Sequence, residues 1–143
     1  MKDKASALVT LEKEGEVSLV CLNDRDSFNS LSENLLKELF DTLKQADEDD
    51  STKVLVLRGS GRGFSAGHNL KEVQKNENES FYRELLSCSK KVMTFLPNLS
   101  KPVIAEVHGV ATAAGCQLVA ACDLAYADTN TRFATPGVNI GLF

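Results

Sequence analysis

Two segments rich in glycine and small residues, Gly63-Phe64-Ser65-Ala66-Gly67-His68-Asn69-Leu70 and Val107-His108-Gly109-Val110-Ala111-Thr112-Ala113-Ala114-Gly115-Cys116, each follow an apolar run of strand character. Glycines there let the backbone turn tightly as a strand ends and approach another segment with no Cβ in the way. Ligands enter α/β sheets at that end of the strands. Val54-Leu55-Val56-Leu57 is apolar on both faces, the mark of a buried parallel strand, and Val103 to Val107 follows Pro102 as another. Helical spacing separates these runs, so the order strand, helix, strand, helix, strand predicts right-handed crossovers and a parallel sheet.

The remaining elements fit around that frame. Ala7 to Glu12 and Glu16 to Leu22 alternate apolar with polar around Glu14-Gly15, which predicts an antiparallel hairpin with one wet face. Ser32 is a good N-cap for a helix presenting Leu35, Leu36, Leu39, Phe40 and Leu43 and stopping near Ala46. The acidic run Asp47 to Asp50 reads as a solvated helix end, although it complements a helix C-terminus poorly. Glu72 to Glu79 reads as a polar loop, and Phe81, Leu85, Cys88, Val92 and Leu96 as a second helix ending at Pro97. A short helix ending near Ala121 and a strand over Asp123 to Ala127 complete the series.

With 143 residues, 43% hydrophobic and 25% charged, the chain suits one ordinary domain. Its formal charge of -4 and scattered basic residues argue against nucleic acid as a partner, RNA included. The four cysteines, Cys21, Cys88, Cys116 and Cys122, form no Cys-x-x-Cys pair, and only His68 and His108 are available beside them, so no metal site is expected. No secretory signal or membrane span is visible. Reduced thiols suit a bacterial cytoplasm or a mitochondrial matrix.

Each glycine segment has a plain alternative. The first would look similar as an ordinary strand-to-helix turn, and its spacing fails the P-loop pattern. The second, with Ala113-Ala114-Gly115 at a helix start, offers unpaired N–H groups, but a small-residue helix packed on a neighbour would look the same. Taken together they read as two halves of an oxyanion hole, each bringing one backbone N–H to a shared point where charge develops on a carbonyl oxygen. That points to acyl-group chemistry.

The motifs Phe64-Ser65-Ala66-Gly67-His68-Asn69-Leu70-Lys71 and Gly109 to Cys116 resemble those of the crotonase, or enoyl-CoA hydratase/isomerase, superfamily. Asn29-Ser30-Leu31, Cys122-Asp123-Leu124-Ala125 and Phe133-Ala134-Thr135-Pro136 occur in that family's order. The resemblance implies the N-terminal part of an α/β ββα spiral, the ClpP/crotonase fold. It also implies acyl-CoA as ligand, no further cofactor, and lyase-type chemistry on a thioester enolate. By position it makes the amides of His68 and Ala114 the oxyanion donors, and sets Ala66, His68, Asn69, Leu70, Lys71 and Ala114 along the CoA thioester.

The departures are specific. The family's two glutamates fall on Gln117 and Gly137, and neither an amide nor a hydrogen can exchange a proton near neutral pH. Ordinary crotonyl-CoA hydration is therefore not expected. His68, His108, Asp123 and Asp128 are the other titratable candidates. Where the family often carries a base for CoA phosphates, Asp26 and Ser27 stand here, with Arg25 nearby. Phe143 closes the sequence where the family continues to C-terminal helices that build trimers or hexamers, so residues 1–143 read as the N-terminal portion of one domain with uncovered apolar faces.

Overall fold

The computed structural model describes residues 7–141. β1 (Val9–Glu14) and β2 (Val17–Leu22) pair antiparallel around a tight turn, where Gly15 takes a φ of 60°. β1 thus starts and ends two residues later than the alternation predicts, because Glu14 pairs directly with Val17. β2 is not a strand with one wet face. It lies between β1 and β3 and beneath a helix, so Ser18, Leu19, Val20 and Leu22 are all buried.

Ser32 caps α1 (Glu33–Glu48), its hydroxyl accepting from the Leu35 amide at 3.1 Å. Leu35, Leu36, Leu39 and Leu43 are fully buried against the sheet and the next long helix, each contributing about 1.5–3 kcal/mol of burial. The helix runs past Ala46 because its end is held from outside. Lys101 Nζ donates to the carbonyls of Ala46 at 3.3 Å and Asp49 at 2.7 Å, and to that of Asp47. The acidic run is correspondingly engaged rather than merely solvated. Asp47 accepts from the Ser100 amide, and the Lys13 ammonium beside Asp49 holds that carboxyl well below the usual carboxylate range.

β3 (Val54–Gly59) and β4 (Val103–Val107) continue the sheet in parallel, and β6 (Leu124–Ala127) closes it in the order β1-β2-β3-β4-β6. α2 (Leu70–Lys75) runs into the start of the supposed polar loop, nucleated by Asn69, whose Oδ1 accepts from the Glu72 amide at 3.2 Å. α3 (Glu79–Phe95), capped by Asn78, packs on α1 and passes into a single 3-10 turn over Leu96–Asn98. Two short strands escaped the sequence pattern, β5 (Val110–Thr112) and β7 (Arg132–Ala134), which pair in parallel as a small second sheet. α4 (Ala114–Ala120) lies between them in the chain, and a 3-10 turn over Pro136–Ile140 follows β7. Leu124, Tyr126, Phe133, Val138 and Ile140 are exposed along this last stretch.

Candidate functional site

The two glycine segments meet. Ser65 bridges Ala111 in parallel, the Ser65 amide donating to Val110 O at 3.1 Å and the Thr112 amide to Ser65 O at 3.0 Å. His68 bridges Leu31 through its neighbours, with Leu31 N to Gly67 O at 2.7 Å and Asn69 N to Leu31 O at 3.2 Å. That pattern turns the His68 N–H away from Leu31, and among the described residues no acceptor meets it. On the other arm, Ala113 adopts φ 51° and ψ −123°, held by its own amide donating to Ala134 O at 2.8 Å. A non-glycine residue there stores about 1–3 kcal/mol of strain. The next amide, that of Ala114, opens α4 and likewise finds no acceptor among the described residues.

Gly67 is what lets the arms touch. Its φ is 85°, and a β-carbon built on it would lie 2.8 Å from Thr112 O and 3.2 Å from the Ala114 nitrogen. Gly67, the residue before His68, therefore lies against the Thr112–Ala114 backbone with no room for a side chain. Two free N–H groups that converge on one point can share an oxygen acceptor, and fixed donors of that kind favour charge developing on it.

Behind the first arm sits Asn29, fully buried with a φ of 51°. Its Nδ2 donates to the carbonyls of Ser60 and Gly63 at 2.9 Å and contacts that of Phe64 at 3.1 Å, while its Oδ1 accepts from the Asp24 amide at 2.9 Å. Sequence reasoning missed this role: Asn29 was notable only as part of the Asn29-Ser30-Leu31 segment that falls in the family's order.

A cleft of about 720 Å³ opens where the arms meet. Ala66, His68, Leu70, Ala114, Gln117 and Gly137 lie in its wall, so six of the expected positions come together. Asn69 and Lys71 do not line it: the Asn69 side chain caps α2 and Lys71 is exposed on that helix. Nor do the other titratable candidates. His108 Nε2 lies 2.9 Å from Gly61 O, Asp123 accepts from the Val103 amide at 2.7 Å, and Asp128 accepts from the Asn130 amide. Arg25 is exposed against Gly61, outside the cleft. The opposite wall is a face of α3, with Leu86, Ser89, Lys90 and Met93 at helical spacing. The helix was readable from Phe81, Leu85, Cys88, Val92 and Leu96, but none of that series lines the cleft, and nothing in it pointed to the face that does.

The His68 imidazole docks on α3, its Nε2 3.1 Å from the Ser89 hydroxyl, and burial lowers its pKa from 6.5. No carboxylate lines the cleft among the described residues. Cys116 does line it, whereas burial pushes the Cys122 thiol up to about 12. All four cysteines are free, and among the described residues no group of three or more His, Cys, Asp or Glu side chains could hold a metal ion. No helix among them is long and apolar enough to cross a membrane.

The strand order, the bridged glycine arms and the cleft at their junction define an α/β protein of the crotonase fold. The chain belongs to the enoyl-CoA hydratase/isomerase family, whose model matches residues 12–143. It is 42% identical over 136 residues to enoyl-CoA hydratase domain-containing protein 3, mitochondrial, of Xenopus laevis, covering 95% of this chain and 46% of that protein. Among solved structures, an enoyl-CoA hydratase of Mycobacterium smegmatis is 44% identical with a TM-score of 0.91, covering 95% of this chain and 53% of that one. Human enoyl coenzyme A hydratase domain-containing protein 3 is 38% identical with a TM-score of 0.90, covering 95% and 54%. The chain thus spans about half the length of the curated relatives it matches.

Proposed function

We propose that this chain forms the acyl-CoA-handling portion of a protein of fatty-acid and acyl-CoA metabolism, in which the backbone N–H groups of His68 and Ala114 grip a thioester carbonyl and stabilise its enolate. One observation carries the reading: His68 and Ala114, whose amides find no acceptor among the described residues, both line the cleft, and Gly67 beside His68 packs against the backbone at Thr112 and Ala114. Enolate chemistry needs negative charge held on one oxygen, which paired donors in a partly desolvated cleft supply. Ala66, Leu70 and Met93 offer the thioester an apolar bed. No metal or further cofactor enters this mechanism. Crotonyl-CoA hydration is slow or absent, because Gln117 and Gly137 supply no proton carrier. A trimeric or hexameric assembly, and a mitochondrial matrix or bacterial cytoplasm as compartment, belong to the same reading.

A second reading, a non-catalytic acyl-CoA binder or regulator, is favoured by one observation: no carboxylate faces the cleft among the described residues. Calorimetric titration of the protein with acyl-CoA thioesters, combined with deuterium uptake at the substrate's α-carbon, separates the two. Exchange above the solvent background marks an enzyme, and tight binding without exchange marks a binder. Failure of every CoA ester to bind removes both.

A further inference from the structure

Ser65 is fully buried and lines no part of the cleft, yet it is bonded to both arms of the site. Its hydroxyl donates to Asn29 O at 2.8 Å and accepts from the Gly67 amide at 3.3 Å, fixing the Ala66–Gly67 peptide, one before the peptide that carries the His68 N–H. Its main chain takes the second arm through Val110 O and the Thr112 amide. Gly115, one residue past Ala114, packs so closely that a β-carbon there would lie 2.4 Å from Ser65 O. Asn29, by contrast, touches only the first arm.

We infer that Ser65 is the positioning residue of this site, setting the separation and direction of the His68 and Ala114 amides and so the polarisation of a carbonyl it never touches. The inference rests on the oxyanion reading above. Its physical basis is that preorganised donors act only when held to geometry, and a displacement of about 1 Å costs on the order of a hundredfold in rate. Removing the hydroxyl strands the Gly67 N–H and the Asn29 carbonyl in the interior, and both recover partners only by moving the loop. The apolar bed lies elsewhere, so ligand affinity is set separately from carbonyl polarisation.

The test is isotope-edited infrared difference spectroscopy of acetyl-CoA, labelled at the carbonyl, bound to the complete protein. In the parent, binding shifts the carbonyl stretch to lower frequency. Ser65→Ala binds acetyl-CoA with affinity within about threefold of the parent but loses most of that shift. Ser65→Cys, which keeps a weak donor, retains an intermediate shift, and it decides the matter alone should the alanine variant not fold. A full shift in the alanine variant, or in the cysteine variant if it stands alone, overturns the inference. So does a joint loss of affinity, shift and thermal midpoint, which marks a merely structural residue. A parent that binds acetyl-CoA with no shift refutes the oxyanion reading itself.

Discussion

The imidazole of His68 and the hydroxyl of Ser89 lie 3.1 Å apart, so a residue of the cleft wall is tied to α3 by its side chain. Burial favours the neutral ring, lowering the pKa from 6.5. In the window just below 6.5 the unfolded chain therefore binds more protons than the folded one. Stability from this group is fully present above 6.5 and is lost as pH falls toward the folded value. Urea midpoints should rise with pH across that window in the parent, and the rise should shrink in His68→Gln. NMR titration placing His68 at or above 6.5 would reverse the sign.

Ala114→Pro deletes one donor amide at the first position of α4, where a proline ring is otherwise accommodated. Thioester α-carbon exchange should fall by roughly a hundredfold or more, the usual loss for one oxyanion donor. Unchanged exchange in a folded variant would exclude Ala114 from the site.

Gly67→Ala drives a methyl between the two arms at a φ of 85°, against Thr112 O and Ala113 Cβ. The backbone conformation alone costs about 1–2 kcal/mol, and the clash adds to it. Thermal unfolding should show the lower midpoint, and the carbonyl shift of bound acetyl-CoA should disappear. A midpoint equal to the parent's would mean that the arms are not in contact.

Gln117→Glu together with Gly137→Glu places two carboxylates on the cleft wall, where the family resemblance locates the hydratase pair. If the donors are already in place, crotonyl-CoA hydration by the complete protein should rise by about 10²–10⁴-fold. Loss of the conjugated enoyl thioester absorbance follows it directly. No gain would indicate that the amides do not face a bound thioester.

The parallel frame was readable because buried strands leave long apolar runs, as in Val54 to Leu57, and because Ser32 advertises a helix start. β5 and β7 were not, since three residues each leave no period to detect. α2 hid within charged residues, and only its Asn69 cap marks it. Residue identity revealed the glycines but not their partners. Nothing local to Asn29 says that three carbonyls from residues 60–64 will fold onto its amide, and nothing local to Lys101 announces that it will end α1. The six cleft positions were legible only through resemblance. That α3 would form the facing wall depends on how it packs across α1, which is a tertiary outcome.

Ala113 keeps a methyl at a torsion where hydrogen would be easier. Glycine in its place would relax the bend but free the unfolded chain, and would let the hinge into α4 swing through conformations the methyl forbids. The alanine thus acts as a detent: it trades comfort in one peptide for a narrow choice of directions in the next. The direction in which the chain enters α4 owes its sharpness to one methyl group in the cleft wall.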